Sequence, residues 1–246
     1  MSALLSLTGA ETRLFLREPV SMIFTLAVPP ILIIVFGAIP SFAEPDPDLG
    51  GLRIIDLYPP IILAMAIAMV ALTHLPPQLA TYRDKGVLRR MRTTPVTPRV
   101  LLGAHLIMCT AITAVTMIAV LAIATLAFDV AVPANPLGYL LAFLLTTVAT
   151  LSVGLLAAAL APSGTGATAL GLVAVFALLF FAGLWIPRAT MSEVLITISD
   201  LTPLGAGVQA LEDAAAGGWP QVLHLGVLVA WTVVAGGLAA RTFRWE

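Results

Sequence analysis

Residues 130–187 read VAVPANPLGYLLAFLLTTVATLSVGLLAAALAPSGTGATALGLVAVFALLFFAGLWIP and hold no Asp, Glu, Lys or Arg. A helix crossing ~30 Å of hydrocarbon needs about 20 apolar residues, so this stretch is long enough for two crossings. It breaks at Pro162-Ser163-Gly164-Thr165-Gly166, a strong turn signal. The reading is two spans, over 138–160 and 166–186, joined by a tight turn.

The same test applied outward finds four more charge-free gaps, 19–43, 57–82, 100–128 and 214–240, whereas 201–211 is too short. These predict spans over 21–39, 57–76, 101–127 and 221–240. The expected fold class is an all-α membrane protein with six transmembrane helices. Composition agrees: 10% of the residues are charged and 60% hydrophobic, against roughly 25% charged in a soluble domain. So few charges do not cover a water-facing surface, and lipid is the expected solvent for most of the chain.

Lys and Arg set the expected orientation. With the N-terminus in the cytoplasm, the inside segments hold Arg13, Arg17, Arg83, Lys85, Arg89, Arg90, Arg92, Arg99, Arg241 and Arg244. Only Arg53 and Arg188, the remaining two of the 12, fall outside. Both termini are therefore expected inside. Trp185, Trp219, Tyr58 and Tyr139 lie near predicted outer ends, where aromatic belts form. No cleavable leader is expected, because residues 1–18 carry Glu11, Arg13, Arg17 and Glu18 and no A-x-A-like site follows the first apolar run.

Three segments between the spans carry information. Residues 1–19 predict a short interfacial helix, with Leu4, Leu7, Leu14 and Phe15 on one side and Ser6, Arg13 and Arg17 opposite; Glu11 intrudes on the apolar stripe. Residues 77–99 form the most charged loop. A helix is expected over 78–92, weakened at Gly86 and ended by Thr93-Thr94-Pro95. Two readings of this loop stand side by side: a topology signal that touches anionic lipid, or a protein-docking loop in which Leu88 and Met91 are apolar anchors and Asp84, Arg89 and Arg90 fix orientation. Residues 187–220 predict two short outer re-entrant helices, Met191–Asp200 and Gly207–Ala216, with Leu201, Leu204 and Val208 buried against spans five and six.

The chemistry the sequence lacks narrows function. There is no G-x-x-x-x-G-K-[ST] motif, and Lys85, the sole lysine, is followed by Gly86, so the chain is not expected to be an enzyme by itself. No row of charges crosses the bilayer centre, which disfavours a secondary carrier with a proton relay. His74, His105 and His224 sit on different helices, two near the inner end and one near the outer, and are read as packed rather than metal-binding. Cys109 lies alone in an apolar run and is read as core. No basic arm or aromatic-basic patch points to nucleic acid.

Three stretches resemble one family over almost the whole chain. Arg13-Leu14-Phe15-Leu16-Arg17-Glu18-Pro19 is like its entry helix. Gly86-Val87-Leu88-Arg89-Arg90-Met91-Arg92-Thr93-Thr94-Pro95-Val96 is similar to its G-x-L-R-R-x-R-x-T-P-V loop, although Arg83-Asp84-Lys85 stands where the family usually has Glu-Arg-Glu. Gly183-Leu184-Trp185-Ile186-Pro187, with Leu201-Thr202-Pro203-Leu204 and Val208-Gln209-Ala210-Leu211, is similar to its outer helices. The chain thus resembles an ABC-2-type exporter permease. The resemblance implies a single transmembrane domain over 1–246: interfacial helix 1–19, spans 1–5 over 20–186 with the coupling loop at 77–99, re-entrant helices 187–220, and span 6 over 221–240.

It further implies two permease subunits, as two copies or two homologues, and two separate ATPase subunits that hold ATP and Mg, with no cofactor on this chain. A hydrophobic drug, lipid or lipid-linked molecule would be moved out across a bacterial plasma membrane. Coupling to the ATPase would fall to Asp84, Gly86, Leu88, Arg89, Arg90, Met91 and Arg92, with Arg13 and Arg17 beside them. A path between paired permeases would be lined by spans one, two and five, with Phe24, Met65, Met69, Phe176 and Phe180 as candidates; core or lipid-facing packing is the alternative for each. A membrane assembly subunit that moves nothing is the competing class of function.

Overall fold

The computed structural model describes residues 3–47, 51–87 and 98–242. Helix α1, Ala3–Leu16, precedes the six long apolar helices. These are α2 (Pro19–Gly37), α3 (Ile54–Asp84), α4 (Pro98–Phe128), α5 (Pro136–Leu160), α6 (Gly164–Phe181) and, after two short helices, α9 (Val222–Thr242). The short pair, α7 (Glu193–Leu201) and α8 (Pro203–Ala215), meets at 94°. The chain is therefore an all-α membrane protein with six membrane-spanning helices.

Local signals start the helices where the structure has them. Asn135 accepts a hydrogen bond from the Gly138 N–H at 2.9 Å, and Ser163 one from Gly166 at 3.2 Å. Thr202 accepts one from Gly205 at 3.0 Å. Each caps an N-terminus whose first N–H groups have no helical partner. Pro136 and Pro203 occupy first positions that need no donor.

Span 2 is the hub. In α3, 72% of the most apolar window is buried, against 17–22% in α2, α6 and α9. It also runs further than expected. The predicted span ended at 76, but the helix continues to Asp84 and stops where Gly86 takes a φ of +64°, a conformation that glycine adopts without cost. The part of the helix expected over 78–92 that lies within the described residues continues span 2 to Asp84 and is interrupted by a turn at Lys85-Gly86, where Gly86 was expected to weaken it; residues 88–92 lie outside the described residues. Span 5 is shorter than expected, closing at Phe181 rather than 186, with a turn at Gly183 (φ +87°).

Spans 1 and 2 each contain one wide π-helical turn, Ile23–Ala27 and Met69–His74, directly before the pairs Pro29-Pro30 and Pro76-Pro77. Proline brings no N–H and its ring clashes with the carbonyl four residues back, which opens the turn. The carbonyls left without donors are met from neighbouring helices. The Thr116 hydroxyl donates to Thr25 O at 3.1 Å. On α3 the Leu75 N–H goes to Val70 O and Pro76 and Pro77 bring no N–H, so the buried Ala71 and Leu72 carbonyls have no helical donor. Gly154 of α5 and Gly171 of α6 abut these two oxygens so closely that no Cβ fits. The backbones touch through Cα–H···O contacts, which fixes α5 and α6 against the hub.

The chain alternates between two ends. The α1 end collects Tyr82, His105, Ala161 and Gly164; the opposite, far end collects Arg53, Phe128, Asn135 and Asp213. Arg53 pairs with Asp56 at 2.7 Å, as their i, i+3 spacing implies, and its other nitrogen donates to the last carbonyl of α4, Phe128 O, at 3.1 Å. A cation on a helix C-terminus complements the partial negative charge there.

Candidate functional site

At the α1 end, α1 is joined to spans 2 and 3 by buried polar groups. Glu11 is only 5% exposed and lies at the centre of the packed face. Tyr82 of α3 donates its hydroxyl to the Glu11 carboxylate, 3.0 Å from Oε2 and 3.1 Å from Oε1. Gln78 in turn donates to the Tyr82 oxygen at 2.9 Å. His105 of α4 places Nε2 3.4 Å from Glu11 Oε2 and Nδ1 3.3 Å from Leu101 O. One turn on, Phe15 is fully buried with its ring edge on His74, and His74 Nδ1 lies 3.0 Å from Glu18 Oε2. The helical-wheel reading is corrected here. The packed face is Leu4, Leu7, Thr8, Glu11 and Phe15, and Leu14 is exposed. The acid that looked like an intruder is the anchor. A polar residue among apolar ones, facing a Tyr and a His inside apolar runs, was the available signal.

The end of α3 is tied to the α5–α6 turn. Arg83 donates to Ala161 O at 2.6 Å and Ala158 O at 3.4 Å, at the C-terminus of α5. Asp84 accepts from the Gly164 N–H at 3.1 Å, at the N-terminus of α6. Cation and anion each meet the helix end of opposite partial charge. Of the predicted coupling residues, Asp84 thus bonds within the chain, Gly86 forms the turn, and Arg13 on α1 and Arg17 just after it are exposed. Leu88, Arg89, Arg90, Met91 and Arg92 lie outside the described residues.

Of the predicted path residues, Met65 and Met69 of α3 share one packed cluster, which Phe24, Phe176 and Phe180 do not join. Met65 is buried in α3 and Met69 half-buried; Phe24 and Phe176 are exposed on α2 and α6; Phe180 is half-buried against Phe181. The far end instead holds a cavity of about 620 Å³ that no sequence signal marked. Its walls come from the first turns of α3, the Phe181–Gly183 turn, and α7 and α8.

α8 runs beside α5, with Gly207 against Thr146 and Ala214 bonded to Asn135. Leu204 and Val208 are buried as expected, although α5 is the helix α8 packs on most, and Leu201 is 55% exposed, contrary to expectation. Leu201 caps the bend instead, its carbonyl accepting from Trp231 Nε1 at 2.8 Å. Tyr139 is also buried, so it does not join an aromatic belt, whereas Trp185 and Trp219 are exposed.

Arg188 crosses the cavity wall to Asp200 at 2.6 Å and to Ser199 Oγ at 3.2 Å, and Ser199 donates to Phe181 O at 2.6 Å. His224 Nε2 sits 3.4 Å from the same Asp200 and its Nδ1 3.8 Å from Asp213. Glu212 faces the cavity and accepts from Gln209 at 2.7 Å. Burial pushes the Glu212 carboxyl up to about 7, helped by the charge of Asp213 and opposed by Gln209 and Arg188. Each histidine is accordingly packed beside a carboxylate, and among the described residues no His, Cys, Asp and Glu group has the geometry of a metal site.

No curated protein matches the chain. The family model for the ABC-2 type transporter matches residues 2–214. Six apolar crossings around a proline-broken second span, and a match over most of the length, place this chain in the ABC-2 type transporter family, as the membrane-embedded permease subunit of an ABC transporter.

Proposed function

We propose that this permease works in an ATP-driven exporter, moving a hydrophobic drug, lipid or lipid-linked molecule outward across a bacterial plasma membrane. Two ATPase subunits on separate chains would supply ATP and Mg, and a second copy or homologue of this chain would complete the membrane half. Both termini are cytoplasmic in this reading. Support comes from the distribution of cations: among the described residues Arg13, Arg17, Arg83, Lys85 and Arg241 lie at the α1 end, and Arg53 and Arg188 at the far end.

The observation that carries the coupling part is the polar tie at Glu11. A push on α1 reaches α3 through Tyr82 and α4 through His105, and these are the helices joined by residues 85–97. Two cytoplasmic elements thus bear on the same pair of spans, one of which is the hub. Leu88 and Met91 are the proposed anchors on the ATPase, and Asp84, Arg89 and Arg90 border them. Phe24, Met65, Met69, Phe176 and Phe180 remain candidates for a path between two copies.

The test is reconstitution with the cognate ATPase in liposomes. ATP-dependent movement of a hydrophobic substrate is expected, and Leu88→Ala with Met91→Ala should insert normally, bind the ATPase more weakly and lose transport. A double variant that binds and transports like the parent would reduce the loop to a topology signal.

A further inference from the structure

We infer that the far-end cavity is a binding site for lipophilic organic cations, with Glu212 as their counter-ion. This rests on the exporter reading for its purpose, a site at the exit side, and deepens it by naming a substrate class. Size is the first argument. About 620 Å³ lies within the range of small-molecule sites, roughly 300–1,000 Å³. The second is wall chemistry. Ile54, Leu57, Ile61, Phe181 and Val208 supply an apolar surface suited to a bulky hydrocarbon body.

Charge is the third argument. The Arg188 guanidinium is already held by Asp200 and Ser199. Glu212 has a neutral partner, the Gln209 amide, which leaves its charge uncompensated by direct contact. A carboxylate in an apolar recess is short of solvation, and its high carboxyl pKa reflects that shortage. An organic cation restores the lost stabilisation without bringing a tightly held water shell. An anion of the same shape would meet Glu212 and Asp46 on the cavity wall and be repelled.

The charged and titratable groups on the elements around α8 are Asp56, Tyr58, His74, Tyr82, Arg83 and Asp84 of α3, Tyr139 of α5, Glu193 and Asp200 of α7, and His224 and Arg241 of α9, with Asp46 and Arg188 on the cavity wall and none on α6; Arg241 and the α3 groups from His74 on lie at the α1 end. Asp56 is engaged by Arg53, and Asp200 by Arg188. Of the two acids on the cavity wall, Asp46 and Glu212, the one on α8 beside Val208 and the neutral Gln209 amide is Glu212, and it is the one placed to meet a ligand.

The experiment is equilibrium binding of tetraphenylphosphonium and tetraphenylborate, ions of matched shape and opposite charge, to the purified full chain in detergent. Saturable phosphonium binding is expected, weaker by at least about tenfold in Glu212→Gln, while tetraphenylborate binds the parent weakly and Glu212→Gln no more weakly. Glu212→Gln keeps shape and removes a buried charge, so it folds; a matching elution profile confirms that. Leu57→Trp, which narrows the cavity, should weaken phosphonium binding independently. Equal binding of both ions, or phosphonium binding unchanged in both variants, overturns the site. ATP-driven transport of another solute with no phosphonium binding would sink this site and leave the exporter reading. Glu212-dependent binding with no ATP-driven transport would do the reverse.

Discussion

The Tyr82 hydroxyl donates to the Glu11 carboxylate, bonding the first helix of the chain to the last turn of its central span across 71 positions of sequence. A hydrogen bond to a buried charge contributes roughly 1.5–3 kcal/mol, so Tyr82→Phe should lower stability by about that much. Glu11→Leu removes the charge as well, and the double variant should then cost less than the two single ones summed. Thermal unfolding in detergent measures this, and amide exchange across Ala3–Leu16 should quicken in Tyr82→Phe. Additive losses would show that the two residues act separately.

Gly154 and Gly171 permit the backbone contacts with Ala71 and Leu72. Alanine ordinarily favours a helix over glycine by about 1 kcal/mol. Here the sign should reverse, with Gly154→Ala or Gly171→Ala destabilising by about 2 kcal/mol or more through overpacking against backbone. Gly226→Ala on α9, where a Cβ meets nothing within 4 Å, should stabilise slightly. Melting midpoints of the three variants test the contrast.

Glu212 makes stability depend on pH. Its carboxyl is raised from 4.5 to about 7 in the folded chain, so the folded state holds this proton more tightly than the unfolded state. Stability should fall as pH rises from 4.5 to 7 and then level off. Glu212→Gln should match the parent near pH 4.5 and exceed it at pH 8 by about 1–2 kcal/mol, allowing for solvent in the cavity. Unfolding curves at the two pH values decide; an equal gap at both would rule out titration of Glu212.

Orientation is open to a direct check. Ser163 sits at the α1 end and the exposed Trp219 at the far end. In a Cys109→Ala background, Trp219→Cys should react with an impermeant maleimide added outside intact cells, and Ser163→Cys only after lysis. The opposite pattern would invert the proposed topology.

The six spans were legible because hydrocarbon excludes charge, so gaps between Asp, Glu, Lys and Arg measure helices directly. The same rule hid the true end of span 2. Arg83 and Asp84 closed the gap at 82, yet both continue the helix, because the ends of α5 and α6 receive their charges. Glu11 was misread for a related reason: a carboxylate on an apolar face signals water unless a partner on a distant helix is known. Leu201 looked buried by composition, but the 94° bend at Thr202 turns it outward while its carbonyl serves Trp231. The cavity left no trace in the sequence, since its lining comes from several segments scattered between Asp46 and Glu212.

A helix is a screw, and the wide turns at Ile23–Ala27 and Met69–His74 alter its phase. Each residue advances a regular helix by about 100° and 1.5 Å, so one residue absorbed into a turn rotates everything beyond it by about that angle. In α3 the shift falls between the cavity-lining Ile61 and the α1-facing Tyr82. Tyr82 meets Glu11 because of that offset: a wheel drawn from Ile54 without it would aim the phenol about 100° away, leaving the carboxylate with His105 alone.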